Sequence, residues 1–125
     1  MNDKQLVELA ERYFAAVDRM DVAATLAFFA PDATFTIATY DTAYKGRDTE
    51  IKAMFERLYA RYAQLWHGDF DHLAQPPDRI ASRFRVRNST REGEQLYKNN
   101  CNFFRVRDGR FDEVFVYMSG ENSLR

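Results

Sequence analysis

A single cysteine, Cys101, stands among the 125 residues of the chain. One thiol excludes an internal disulfide and the thiolate zinc sites, because each needs at least two. Long apolar runs are missing too, and no segment approaches the roughly 20 apolar residues that cross a bilayer. Residues 1–20 open with Asp3 and Lys4 and continue as an amphipathic helix without the apolar centre of a secretory signal. A cytoplasmic location is therefore expected, with no membrane partner. Neither sign of charge dominates. Eighteen basic and nineteen acidic side chains leave a net charge of −1, so no global field favours nucleic acid. Internal repeats and low-complexity segments are also absent.

What the chain does have is apolar bulk. Hydrophobic residues make up 46% and aromatic residues 15%, including eleven Phe and seven Tyr. That suffices to fill one core and to line a cavity, and the length suits one domain spanning residues 1–125.

Leu6, Ala10, Tyr13, Phe14 and Val17 recur at helical spacing behind a capping-box pair, Asn2 and Gln5, which predicts a first helix over 3–18. Asp21 is the expected cap of a short second helix carrying Leu26 and Phe29, stopped by Pro31. From Ala33 the pattern turns β-branched and aromatic, placing Phe35, Ile37 and Thr39 on one face of a strand. Asp48 then caps a third helix striped by Ile51, Phe55, Leu58, Tyr59 and Tyr62 and running to about residue 64. Four strands follow at 65–74, 79–89, 94–107 and 110–118, separated by Pro76-Pro77, the Thr90–Gly93 turn and Asp108-Gly109. The order ααβαββββ predicts an α+β fold, three helices on one side of a curved, mainly antiparallel sheet with a pocket between.

Alternation then sorts the strand residues. Phe104 and Val106 between Arg105 and Arg107 put Asn100 and Asn102 on the inward face, as a structural network or as contacts to a polar ligand. His72 is expected to share an inward face with Trp66 and Phe70, as an acid–base group, a ligand contact or a satisfied strand histidine. His67, Asp69 and Asp71 then occupy the opposite face, where a spacing of about 6.7 Å between alternate residues suits one metal ion poorly. Arg83, Arg85 and Arg87 alternate with Phe84 and Val86, as a solvated face or an anion contact. Asp41, just beyond the first strand, caps a turn or reaches the pocket mouth, and turn chemistry is the reading preferred. In the last strand Val114, Val116 and Met118 take one face and Phe111, Phe115 and Tyr117 the other. A second apolar face predicts a homodimer through Phe115 and Tyr117.

Four segments carry a resemblance: Arg12-Tyr13 with Val17-Asp18, then Phe29-Ala30-Pro31-Asp32-Ala33-Thr34, Lys45-Gly46-Arg47-Asp48, and Arg107-Asp108-Gly109-Arg110. In this order and spacing the chain resembles, over nearly its whole length, the nuclear transport factor 2-like superfamily, with its SnoaL-like polyketide cyclases, ketosteroid isomerases and scytalone-type dehydratases. The resemblance implies a cone-shaped, cystatin-like fold, a deep pocket and usually a dimer. It also implies roles. Tyr13 matches the isomerases' oxyanion-binding tyrosine, or is a core tyrosine with a satisfied hydroxyl. Asn102 falls where they place a protonated aspartic acid, and its amide can still donate to a developing enolate. Ile37 replaces their catalytic aspartate, which argues against steroid isomerisation by that route. His72 with Pro76 resembles the dehydratases' His-x-x-x-Pro segment.

Two functions are then expected as alternatives. One is cofactor-independent lyase or isomerase chemistry, without metal, on a small apolar carbonyl or hydroxyl compound. His72 would move the proton, Tyr13 and Asn102 would hold the oxygen, and Asn100, Ile37, Phe55, Trp66, Phe84 and Met118 would line the pocket. The other is a non-catalytic ligand-binding or dimeric accessory domain.

Overall fold

The computed structural model describes all of residues 1–125. Helix α1 (Asp3–Asp18) begins at a reciprocal cap, in which Asn2 Oδ1 accepts from the Gln5 N–H and Gln5 Oε1 from the Asn2 N–H, both at 2.9 Å. Its apolar stripe, with Leu6, Leu9, Ala10, Tyr13, Phe14 and Val17 buried, lies against the sheet. Helix α2 (Val22–Leu26) is capped by Asp21 and tied to the third helix by a 2.7 Å bond between the Thr25 and Tyr59 hydroxyls.

Phe29 does not belong to α2, as expected from its spacing, but opens strand β1 (Phe29–Ile37). The strand absorbs Pro31 because its pairing with the last strand is irregular between Phe29 and Thr34, so no regular ladder bond is lost there. A short edge strand, β2 (Thr42–Lys45), follows a left-handed turn at Asp41. It was not foreseen, since four residues carry too little alternation to register. Residues Gly46–Ile51 form a π-helical turn leading into α3 (Lys52–Arg61), which buries Met54, Phe55, Leu58 and Tyr59. That helix stops short of residue 64 because Tyr62 is already extended and starts β3 (Tyr62–Gln75). Strands β4 (Arg79–Thr90), β5 (Gln95–Arg107) and β6 (Arg110–Met118) complete the chain's regular structure.

The six strands form one sheet in the order β2-β1-β6-β5-β4-β3, with β1 parallel to β6 and every other pair antiparallel. The three helices cover it as α+β folds require, and no helix is long and apolar enough to cross a membrane.

Two bulges decide which side chains point inward. In β3, Asp69 and Phe70 stand opposite Phe84 alone, since Gly68 pairs with Arg85 and Asp71 with Arg83, and Asp69 takes the left-handed conformation at φ 52°. One extra residue reverses the alternation. Before the bulge Leu65 and His67 face the helices; after it Phe70, His72 and Ala74 do. In β6, Asp112 is the extra residue, because Glu113 pairs with Arg105 but Phe111 with Val106. Phe111 is thereby turned into the core against Phe29 and Phe104, not outward beside Phe115 and Tyr117 as strict alternation implies.

Residues 119–125 are strapped down through their backbone. The buried Lys98 ammonium donates to the Ser119 and Glu121 carbonyls, Arg61 to the Ser123 carbonyl at 2.9 Å, Tyr44 to Leu124 at 3.3 Å, and Tyr40 to Gly120.

Candidate functional site

Register places the polar inward residues in neighbouring rows. His72, Ser82, Asn102, Val116 and Ile37 are successive cross-strand partners from β3 to β1. The next row holds Phe84, Asn100 and Met118, and a further one His67, Val86 and Lys98. Asn100 and Asn102 are buried, and the Oδ1 of each has no hydrogen-bond partner; Asn88 shares that condition. An orphaned buried acceptor costs about 1–3 kcal/mol unless water or a ligand meets it, which makes these atoms candidate ligand contacts.

His67 is held by the last residue of α1. Asp18 Oδ1 lies 2.6 Å from His67 Nδ1, and Oδ2 accepts the His67 backbone N–H at 3.2 Å. A carboxylate can only accept, so it fixes the proton on Nδ1 and leaves the lone pair on Nε2. Nε2 makes no hydrogen bond within the chain. Phe14 stacks on the ring at 5.2 Å, and the side chain is 13% exposed, dry enough to strengthen the carboxylate contact yet reachable.

His72 is placed differently. Its Nδ1 lies 2.7 Å from Ser82 Oγ and its Nε2 2.9 Å from Glu11 Oε2, with Phe70 stacked on the ring at 5.2 Å. Both nitrogens are occupied. Asn102, directly across from Ser82, completes a contiguous strip with it. Tyr13 is buried among Phe14, Phe28, Phe29, Phe104 and Phe111, and its hydroxyl makes no hydrogen bond within the chain. Burial pushes its phenol well above the ordinary value, and the Tyr59 phenol adds to the shift. Tyr13 packs on Phe104, two residues from Asn102 on the same face of β5, while His72 is joined to Asn102 through Ser82 and makes no direct contact with Tyr13.

The expected lining is partly rearranged. Ile37, Phe55, Phe84 and Met118 are inward and buried in the core, Phe55 against Phe29 and Phe35. Trp66 is not inward. The Asp69–Phe70 bulge puts it on the outer face, where the Arg87 guanidinium lies 4.5 Å from its ring centre and its ring covers Gly68 so closely that a Cβ there would lie 2.2 Å from it. The same bulge takes His67 away from Asp69 and Asp71, and Asp71 pairs instead with Arg83 at 2.9 Å. Asp41 closes its turn through an N–H bond to the Ala38 carbonyl. None of the four principal surface depressions is lined by Tyr13, His67, His72, Asn100 or Asn102.

Glu11 and Ser82 were not singled out from sequence, and Asp18 entered only as part of the Val17-Asp18 segment, without a role. Ser82 shares its parity with Phe84, which is the one local sign of its inward position.

A SnoaL-like domain model matches residues 10–114. The chain belongs to the SnoaL-like domain family. Solved structures agree in fold. A candidate polyketide cyclase from Xanthomonas campestris pv. campestris superposes with a TM-score of 0.83 at 23% identity, covering 94% of this chain and 92% of that one. A Catenulispora acidiphila protein with a ketosteroid isomerase-like fold, solved in complex with trimethylamine, gives 0.78 at 15% identity over 88% and 84%. A nuclear transport factor 2-like protein from Burkholderia xenovorans gives 0.75 at 16% over 95% and 92%. Among curated proteins none matches. Identities this low speak for the fold alone, and this SnoaL-like chain's chemistry rests on its own residues. Where the isomerases' base would stand, Ile37 is fully buried. Both histidines of this SnoaL-like domain, His67 and His72, stand on β3.

Proposed function

We propose that this SnoaL-like protein binds a small, mostly apolar carbonyl or hydroxyl compound and moves a proton on it without a cofactor, as a lyase or isomerase does. The observation that carries the reading is the Asp18–His67 pair, which presents an unpartnered Nε2 on the same sheet face as Asn100 and Asn102, whose Oδ1 acceptors are buried without partners and whose Nδ2 groups are the donors. His67 takes the proton, Asp18 fixes its tautomer, and the amides, with the Tyr13 hydroxyl, hold the substrate oxygen. His67 is favoured over His72 because both nitrogens of His72 are engaged. Strands β3 and β5 lie two spacings apart, about 10 Å between backbones, which suits a compact substrate.

A screen of small ketones and β-hydroxycarbonyl compounds against wild type, His67→Ala and His72→Ala tests this. Loss of about 10²- to 10⁴-fold in kcat for His67→Ala is expected. Equal turnover by wild type and His67→Ala removes His67 from the mechanism. A ligand that co-purifies, is identified by mass spectrometry and is never turned over would instead support an accessory binding role.

The same proposal includes a second copy of the chain on the outer sheet face. Phe103 and Tyr117 are 51% and 48% exposed there, in edge-to-face contact at 6.0 Å and beside Phe115. An exposed apolar group of this kind on a sheet favours pairing.

A further inference from the structure

Glu11, His72 and Ser82 form a chain of carboxylate, imidazole and hydroxyl that the proton-transfer reading leaves unused. Glu11 sits on α1 with its side chain 49% exposed, while Ser82 is fully buried on β4, so the chain runs from solvent to interior. Its polarity follows from the donor inventory. Glu11 accepts, so the imidazole proton lies on Nε2, 2.9 Å away; Nδ1 is then the lone pair, and the Ser82 hydroxyl donates to it across 2.7 Å. That is the order of bonds that activates a serine: an acid that fixes the tautomer, a base, and a hydroxyl whose proton the base can take. Phe70 stacked on the ring restricts its rotation.

A nucleophile also needs a donor for the charge it creates. Asn102 is the direct cross-strand partner of Ser82, with facing Cβ atoms about 4.5–5.5 Å apart; its orphaned atom is Oδ1, an acceptor, so the donor it could offer an oxyanion is the Nδ2 group of the same amide. We propose that Ser82 is a latent acyl-transfer nucleophile, with His72 as base, Glu11 as its positioning residue and the Asn102 amide as oxyanion donor, acting on small apolar esters.

The step balances with water alone. Ser82 Oγ bonds to the ester carbonyl carbon while its proton passes to His72 Nδ1, and the oxyanion is held by the Asn102 N–H. The bond to the alkoxide breaks, and the alkoxide leaves with the proton from His72. Water then attacks the acyl-serine with His72 again taking a proton, Ser82 recovers its hydrogen, and a carboxylic acid departs. Phe70 and Phe84, both packed on Phe14, make the surroundings of the chain apolar.

The probe is a small ethoxy fluorophosphonate, with which Ser82 would form a P–O bond as fluoride leaves. Intact-protein mass and peptide mapping should show one adduct, on Ser82, absent from Ser82→Ala. The labelling rate should fall by about 10²-fold or more in His72→Asn and about tenfold or more in Glu11→Gln. Glu11 is at the surface, so its variant keeps the fold, as circular dichroism would confirm. No adduct on wild type, an adduct on another residue, or a Ser82 adduct formed equally fast in Glu11→Gln and His72→Asn would overturn the proposal. None of these outcomes depends on turnover through His67, so the two readings fail separately.

Discussion

Replacing Asn102 by an apolar side chain should make the protein more stable and less able to hold a ligand. The reasoning starts from its Oδ1, which is buried without a partner. An orphaned acceptor costs about 1–3 kcal/mol, and removing it with an apolar group of similar shape recovers that amount. Asn102→Leu keeps the branching at Cγ, and Asn102→Val occupies less volume and suits a strand, so the pair separates loss of the orphan from overpacking. Taking about 2 kcal/mol and a urea m value of about 1.5 kcal/mol/M, the denaturation midpoint should rise by about 1 M with m unchanged. The thermal midpoint should rise by roughly 6–10 °C at this chain length. Equilibrium urea unfolding followed by circular dichroism is the assay, with turnover or ligand retention measured on the same samples. If both variants lower the midpoint, the amide is part of a satisfied network and the argument that it waits for a ligand fails.

Stability should fall in alkali. Burial raises the phenols of Tyr13 and Tyr59, so both stay protonated in the fold while the unfolded chain ionises near pH 10. Their contribution is complete below that pH and is lost above it, by up to about 1.4 kcal/mol per pH unit for each phenol, and Tyr13→Phe should flatten the slope by about one phenol's share in urea titrations between pH 9 and 11. Asp69 holds the bulge at φ 52°; Asp69→Gly should be neutral or gain up to about 1 kcal/mol, and Asp69→Val should lose about 1–3 kcal/mol in thermal melts. The outer face should pair two chains, giving about 29 kDa, twice 14.7 kDa, by light scattering at micromolar concentration; Phe103→Glu should halve it, and a monomeric wild type would refute the pairing.

How much of this was legible depended on where periodicity held. The stripe from Leu6 to Val17 with its Asn2–Gln5 cap located α1, and the Asp108-Gly109 turn located β6, because those signals are local. Asn100 and Asn102 could be turned inward from Phe104 and Val106 because β5 has no extra residue of its own. Strict alternation failed where one was added. Trp66, His67 and Phe111 all sit beside bulges, and nothing in a two-residue period announces an insertion. The Asp18–His67 bond spans 49 positions, and Glu11–His72 spans 61, so only the packing of α1 across β3 reveals either. Sequence pointed to His72, whose two ring nitrogens are both engaged in the fold, and gave no sign that His67 keeps one nitrogen without a partner.

The bulge at Asp69 has an evolutionary consequence. β3 carries two histidines five positions apart, of opposite parity, and both face inward only because one residue lies between them out of step. Loss of that one codon would rotate the first half of the strand by a half period, sending His67 to solvent and bringing the indole of Trp66 inside while His72 stayed put. A relative that differs by a single deletion here would keep the fold and nearly every residue, yet hold an indole in place of an imidazole. Its chemistry would have changed without a substitution.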